Sequence, residues 1–257
     1  MTTRSGARLH KLYCQLLAGR GAATSSSSPA AAARLAPSAG SNDGSKRSDI
    51  FSKRASAPRF ANGELGVMLV TGATSGVGKC VAETYAALGW QVAAVARRHE
   101  VLAAMAADPA SCGNLHPFAC DVADSAAVAA MVEAVEAALG PIDVLVSNAA
   151  LDIPGSLKFV EVAAPDIDKV IDVNVKGMMY VTHAVLQRMV RRDYGHIFGV
   201  ASVAGTHGMV GQSVYCTSKH AMVGFMDSIA NETRDTGVRA TAHHTCSATA
   251  QNAIHPA

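Results

Sequence analysis

A tyrosine and a lysine four residues apart are the residues of this 257-residue chain best suited to acid/base chemistry. On an α-helix, positions i and i+4 project from the same face, so the phenol of Tyr215 is expected beside the ammonium of Lys219. A free phenol ionises at about pH 10, and a positive charge close by favours the phenolate. The spacing therefore predicts a lowered pKa for Tyr215, which makes this residue a candidate general acid/base.

Two polar residues upstream could complete such a site. Ser202 follows a strand-like apolar run over residues 196–201, and its hydroxyl could hold a substrate oxygen while a proton moves. Asn174 lies in a helical stretch, where it is either a polar residue that interrupts a helix or a member of the site. A Tyr-x3-Lys pair alone would also suit an ordinary helix with an exposed lysine, so the assignment depends on the motifs around it.

The elements that would position these residues alternate regularly from Gly66 onward. Apolar runs of strand length alternate with helix-length segments, a pattern typical of a parallel sheet covered on both faces. The predicted strands are 66–71, 90–96, 115–120, 142–147, 196–201 and 238–243, and the predicted helices are 76–88, 100–107, 125–139, 165–192 and one that carries Tyr215 to about 235. We therefore predict an α/β doubly wound parallel sheet of order 3-2-1-4-5-6, with a ligand crevice between strands 1 and 4.

A glycine-rich turn joins the first strand to the first helix. Glycine at 72 allows a tight turn, Gly76 lets the backbone approach a pyrophosphate, and Gly78 lets the helix pack closely on the strand. The free N–H groups of the following helix would point at the phosphates. The candidate cofactor contacts in this segment are Gly72, Thr74, Ser75, Gly76, Val77 and Gly78.

Two arginines follow the second strand, where an acidic residue would hydrogen-bond the ribose of NAD. Arg97 and Arg98 offer bidentate donors that suit a 2′-phosphate, so this sequence favours NADP(H) over NAD(H). The alternative is a pair of exposed arginines that begin a helix.

Taken together, these motifs resemble the short-chain dehydrogenase/reductase family, whose members carry Thr-Gly-x3-Gly-x-Gly followed later by Ser, Tyr and Lys. The resemblance covers about residues 65–240 and implies a Rossmann-type, NADP(H)-dependent oxidoreductase that acts on a carbonyl or secondary alcohol. It implies that Tyr215 exchanges the proton, that Ser202 positions the substrate oxygen, and that Lys219 lowers the tyrosine pKa and binds the nicotinamide ribose. Asn174 would hold a water that relays protons to the lysine.

The resemblance also extends the cofactor site beyond the glycine turn. Asp121 and Val122, after the third strand, resemble the family's adenine-contacting segment. Asn148 and Ala149, after the fourth strand, resemble its Asn-Asn-Ala-Gly loop, although Ser147 replaces the first Asn and Ala150 the Gly. A methyl group at Ala150 is expected to crowd the backbone near the nicotinamide ribose.

The amino-terminal region differs in composition from the rest. Residues 1–60 hold ten Lys and Arg against two Asp and Glu, whereas the remainder holds twelve against eighteen. We interpret residues 1–61 as an organellar transit peptide, mitochondrial or plastidic, ahead of a domain over 62–257. The alternative is a low-complexity extension with no targeting function, which would leave the protein cytoplasmic.

Several function classes lose support from the composition. The acidic body offers no basic stripe for nucleic acid, and no apolar run is long enough to span a membrane. The six cysteines show no metal-ligand spacing and are interpreted as reduced thiols, with Cys216 packing on its helix rather than reacting. His243, His244 and His255 are expected to bind no metal.

The region after the sixth predicted strand departs from the family. In place of the usual Pro-Gly turn and seventh strand, the chain reads Ala242-His243-His244-Thr245-Cys246-Ser247 and stops at Ala257, so we expect the seventh strand to be missing. We expect a homodimer through the helices near 170–192 and 213–235. Two alternatives remain: a protein that binds NADPH without turnover, and a subunit that serves only for dimerisation.

Overall fold

Six parallel strands form one sheet in the computed structural model, which describes residues 65–155 and 157–245. The strand order is β3-β2-β1-β4-β5-β6. The strands are β1 (Val67–Thr71), β2 (Gln91–Ala96), β3 (Leu115–Ala119), β4 (Ile142–Ser147), β5 (Gly195–Ser202) and β6 (Val238–Thr245). The predicted doubly wound α/β sheet and its order are confirmed.

The helices of the described residues lie between consecutive strands. They are α1 (Gly76–Ala87), α2 (His99–Ala107), α3 (Ser125–Leu139), α4 (Ala164–Ile171), α5 (Met178–Arg191) and α6 (Ser213–Glu232). Short 3-10 turns occupy Pro109–Ser111, Phe159–Glu161 and Val203–Gly205. None of the helices in these residues is long and apolar enough to cross a membrane.

The central strands are buried on both faces because helices cover both sides of the sheet. All five residues of β1 are buried, as are four of the six in β2. The core joins aliphatic strand residues, such as Leu69 and Ile197, to methionines of the covering helices, such as Met189 and Met222. Apolar burial of this kind contributes about 25 cal/mol per Å² and provides the main stabilisation of the fold.

The segment predicted as one helix over 165–192 is divided in the structure. A π-helical turn over Asp172–Gly177 separates α4 from α5. The residues that flank it have ordinary helical dihedrals, so the apolar periodicity continues through the turn and gave no sign of it. Gly177 lies where a Cβ would be 2.7 Å from Cγ2 of Val122, which shows how closely this turn approaches the end of β3.

The sheet ends at β6 within the described residues. β6 pairs with β5 through the whole register from Gly195 with Val238 to Ser202 with Thr245. The expectation about a seventh strand concerns residues 246–257, which lie outside the described residues, as do His255, Cys246 and the predicted leader 1–61.

Candidate functional site

The glycine turn after β1 has the close contacts that its sequence predicts. Gly72 has a φ of +66°, and a Cβ on it would lie 2.8 Å from Cα of Ala149. A Cβ on Gly78 would collide with the side-chain amide of Asn148 and the carbonyl of Gly72. Gly76 has a φ of +55° and nothing within 4 Å of the Cβ position, so the inner side of the turn is left open. These three positions therefore need glycine for different reasons.

An open cleft of about 420 Å³ lies at the carboxyl ends of the strands, beside this turn. Such a crevice, at the point where the strand order reverses, is where doubly wound folds bind ligands. The predicted site residues that line it are Gly72, Thr74, Ser75, Gly76, Val77, Arg97, Arg98, Asp121, Val122, Asn148, Ala149, Tyr215 and Lys219. The lining does not include Gly78, Asn174 or Ser202.

Both arginines after β2 stand at one end of the cleft. Arg98 donates from Nη2 to Thr74 Oγ1 at 2.8 Å, which ties the end of β2 to the glycine turn. Arg97 lies 3.9 Å from Asp121, measured from Nη1 to Oδ2, and both side chains are largely exposed. The end of the cleft is therefore lined by guanidinium groups within reach of a ligand anion.

The loop after β4 is fastened to the end of β1. Thr71 Oγ1 accepts from the backbone N–H groups of Asn148 and Ala149 at 3.0 and 3.1 Å, and Asn148 Nδ2 donates to the carbonyl of Thr71 at 2.9 Å. Ala150 lines the cleft beyond them. Of the described non-glycine residues, only Cys112 and Asp193 have positive φ, so alanine at 150 is accommodated without a left-handed backbone.

Tyr215 lies within the first turns of α6, where the Ser202 hydroxyl at the end of β5 is close enough to its phenol to influence its pKa. Burial raises the pKa of Tyr215 above its ordinary value, and the Ser202 hydroxyl acts in the opposite direction. The lowered pKa expected from the spacing to Lys219 is therefore wrong for this structure. Desolvation of the phenol outweighs the favourable contacts, and the lysine is not among the groups that shift it.

Lys219 does lie beside Tyr215, with Nζ 5.6 Å from the ring centroid. Its side chain is buried, and Nζ donates to the carbonyl of Val200 at 2.9 Å. Desolvation lowers the pKa of Lys219 to about 8. The lysine is thus held by β5 and directed into the cleft, and its charge is only partly retained above neutral pH.

Asn174, in the π-helical turn, is fully buried and connects two parts of the site. Its Oδ1 accepts from Leu151 N at 2.7 Å, and its Nδ2 donates to Leu151 O at 2.8 Å and to Ser218 Oγ at 3.0 Å. Ser218 in turn donates to the carbonyl of Tyr215 at 2.7 Å. Both amide hydrogens of Asn174 are therefore used to join the loop after β4 to the helix that carries Tyr215.

Four residues that shape the site were not among the predicted site residues, although Thr71 begins the glycine motif. Thr71 holds the Asn148 loop, Asp152 lies within electrostatic reach of the Tyr215 phenol, and Gln212 contacts Asp152. Thr245, at the end of β6, lines the cleft and donates to the carbonyl of Ala201 at 3.0 Å. All four lie at the edge of the sheet where such folds bind ligands, either at the end of a strand, just after one, or just before a helix. This position was the sequence feature that could have pointed to them.

A parallel sheet of this order, with a glycine turn at its switch point, defines the Rossmann class of folds. The chain matches the short chain dehydrogenase family over residues 66–252. It therefore belongs to the short-chain dehydrogenase/reductase family.

Individual relatives agree with this membership. The chain is 37% identical over 175 residues to the NADP-dependent 3-hydroxy acid dehydrogenase YdfG of Salmonella typhi, covering 68% of this chain and 69% of that one. It is 38% identical over 174 residues to the D-threitol dehydrogenase of Mycolicibacterium smegmatis, covering 67% and 66%. Among solved structures, the closed form of serine dehydrogenase complexed with NADP+ aligns with a TM-score of 0.67 and 34% identity over 70% of this chain and 71% of the other.

Proposed function

We propose that this chain is an NADP(H)-dependent oxidoreductase that interconverts a carbonyl and a secondary alcohol, with Tyr215 as general acid/base. The observation that carries the proposal is the position of Tyr215. Its side chain lines the same cleft as the glycine turn, lies near the Ser202 hydroxyl, which influences its pKa, and is flanked by Lys219. A proton donor and a dinucleotide-type turn thus meet in one crevice, and Ser202, at the end of β5 and outside the lining, adds a hydroxyl that can orient a substrate oxygen.

The residues of the cleft suit a phosphorylated dinucleotide. The open side of the turn at Gly76 leaves room for a pyrophosphate at the start of α1. Arg97 and Arg98 supply guanidinium donors where a ribose 2′-phosphate would need them, and no carboxylate replaces them at the end of β2. The NADP-dependent relative and the NADP+ complex support the same choice, so we assign NADP(H) rather than NAD(H).

When bound, the nicotinamide supplies or accepts the hydride. In the direction of reduction, the carbonyl carbon gains a hydride with its electron pair, and the oxygen takes a proton from the Tyr215 hydroxyl. The raised pKa of Tyr215 keeps the phenol protonated at neutral pH, so it is ready to donate. Ser202 would orient the same oxygen through its hydroxyl, and Lys219, whose Nζ donates to the carbonyl of Val200, would hold the nicotinamide ribose.

Replacement of Tyr215 by Phe tests the proposal. General acid/base groups contribute about 10²- to 10⁴-fold to rate, so we expect Tyr215→Phe to lose at least about a hundredfold in kcat for NADPH-dependent reduction of a ketone panel. NADPH binding should be retained because the aromatic ring is kept. Absorbance at the nicotinamide band follows the reaction.

Tyr180→Phe provides the matched control, because Tyr180 lies on α5 and does not line the cleft. It should keep wild-type activity. Equal turnover by the wild type and Tyr215→Phe would reject the assigned role of the tyrosine. Binding of NADPH with no turnover of any ketone by the wild type would instead favour a binding protein.

We also propose a homodimer through α5 and α6. Both helices present exposed side chains, including Met179 and Val190 on α5 and Thr217 on α6. Helices that carry small and apolar exposed residues can pack closely against a second copy. Sedimentation equilibrium would give a mass of two chains.

We propose that residues 1–61 are a transit peptide that targets the protein to an organelle. The support is the composition alone, since this segment is rich in Arg, Ser and Ala and nearly lacks acidic residues. When residues 1–61 are fused to a fluorescent reporter, we expect the reporter to be imported into an organelle. A reporter that stays in the cytoplasm would contradict the proposed targeting.

A further inference from the structure

Asp152 occupies a defined place beside the cleft, although it lies in a loop. The loop leaves the end of β4 and passes through Leu151, which lines the cleft. Asn174 holds both backbone polar groups of Leu151, at 2.7 and 2.8 Å, so the residue that follows is fixed in position. Asp152 also accepts from the N–H of Ile153 at 2.8 Å through Oδ1.

The second oxygen of Asp152 is directed toward the helix that carries Tyr215. Oδ2 accepts from Gln212 Nε2 at 3.4 Å, and Gln212 is the residue that precedes α6, three positions before the tyrosine. The negative charge of Asp152 is one of the influences that raise the pKa of Tyr215, which shows that the carboxylate and the phenol are within electrostatic reach. Asp152 is exposed and does not itself line the cleft, but it follows the lining residue Leu151, so a substrate that extends from Tyr215 past Leu151 would approach this carboxylate.

The basic side chains that line the cleft have other partners. Lys219 donates to Val200, Arg97 faces Asp121, and Arg98 donates to Thr74. The described residues of the lining contain no further lysine or arginine. Near Tyr215, then, the one basic side chain of the described lining is Lys219, which already donates to Val200, and no arginine stands there to hold a substrate carboxylate, while Asp152 supplies a negative charge from the neighbouring loop.

We propose that Asp152, positioned with Gln212, is a specificity-determining residue that selects neutral, hydroxyl-bearing alcohols and ketones over those that carry a carboxylate near the reacting carbon. This inference rests on the proposed oxidoreductase function. A carboxylate accepts a hydrogen bond from a substrate hydroxyl, whereas a second carboxylate is repelled and lacks a donor. Two of the relatives act on a 3-hydroxy acid and on D-threitol, by their names, and the charge at this position assigns the present chain to the polyol type of substrate.

A matched pair of substrates tests the inference on the full chain with NADP+. 1,3-Butanediol and 3-hydroxybutyrate share the same carbon skeleton and secondary alcohol, and they differ in a hydroxymethyl group against a carboxylate. We expect the wild type to favour the diol in kcat/KM by at least about tenfold, the scale of a like-charge contact in a partly solvated site. Asp152→Asn should reduce that ratio by at least about fivefold, mainly through improved kcat/KM for 3-hydroxybutyrate.

Asp235→Asn is the control, because it removes one exposed acidic residue at the end of the sheet away from the cleft. It should leave the ratio unchanged. A wild type that favours 3-hydroxybutyrate, or a ratio that Asp152→Asn does not move, overturns the inference while the proposed function stands. Oxidation of other secondary alcohols but of neither probe also overturns it. If no alcohol is oxidised at all, the proposed function fails and the inference fails with it.

Discussion

At the scale of single residues, the site combines a tyrosine that stays protonated with a lysine that loses its proton easily. Burial drives both changes, since it disfavours the charged form of each group. The i,i+4 spacing predicted their proximity, and their separation in the structure agrees with it. It could not predict the direction of the tyrosine pKa, because that depends on how deeply the rest of the chain buries the phenol.

The lowered pKa of Lys219 makes a prediction for stability. Below about pH 8 the lysine is protonated in both folded and unfolded chains, so the buried charge destabilises the folded chain by its full amount. Between about pH 8 and the ordinary lysine pKa of 10.5, the folded chain releases its proton first, so this cost disappears as the pH rises. The free energy of unfolding of the wild type, relative to Lys219→Met, should therefore increase by roughly 3 kcal/mol from pH 7 to pH 10.5.

Urea unfolding of both proteins at the two pH values measures this difference. Groups other than Lys219 titrate in both proteins and cancel in the comparison. A difference that stays constant with pH would show that the lysine keeps its ordinary pKa.

At the scale of elements, the glycine turn places α1 against β1 and the Asn148 loop. Alanine at Gly78 would collide with Asn148 and Gly72, so we expect Gly78→Ala to lower the free energy of unfolding by about 1–3 kcal/mol, the usual range for overpacking. Gly224→Ala is the control within a helix. It has nothing within 4 Å of its Cβ position, and it should stabilise α6 by about 0.5–1 kcal/mol.

Chemical denaturation gives both values, and a titration with NADPH shows whether the turn still binds nucleotide. If Gly78→Ala is as stable as Gly224→Ala, the close packing between α1 and the Asn148 loop is not a constraint on the fold.

The arginines at the end of β2 should decide which nucleotide binds. We expect Arg97→Ala and Arg98→Ala each to weaken NADPH binding by at least about tenfold, the scale of a lost charge-assisted hydrogen bond, while NADH affinity changes little. Arg98→Ala also removes the bond to Thr74, so it should have the larger effect. Isothermal titration measures the affinities, with Arg234→Ala as an exposed control. Equal losses of affinity for NADPH and NADH would mean that the arginines support the fold and do not recognise the 2′-phosphate.

Element bounds were largely accessible from the sequence, but local geometry was not. The helix over Ser125–Leu139 and the strand over Ile142–Ser147 match their predicted ranges because polar capping residues and strong apolar patterns mark both ends. The π-helical turn at Asp172–Gly177 was missed, since its residues continue the helical pattern. Asp152 and Thr245 were missed because loop and edge residues acquire a function only through what the fold brings beside them.

At the scale of the whole molecule, the strand order determines which residues meet at the site. The crossover between β1 and β4 brings the glycine turn beside the Asn148 loop, and β5 and α6 add Ser202, Tyr215 and Lys219 from much later in the chain. The sequence predicted this assembly because alternation of strands and helices leaves few topologies. It could not predict the substrate side, where Asn174 joins the Asp152 loop to α6 through hydrogen bonds between distant residues.

The most direct test of the account is to follow the hydride itself. The full chain is incubated with a ketone and NADPH that carries deuterium at C4 of the nicotinamide, in each of its two configurations, and the alcohol product is analysed by mass spectrometry. We predict one deuterium at the carbinol carbon from one of the two labelled forms, and at most about a hundredth as much product with Tyr215→Phe. A wild-type chain that binds NADPH yet yields no deuterated alcohol, or one whose yield Tyr215→Phe does not change, would contradict the proposed function.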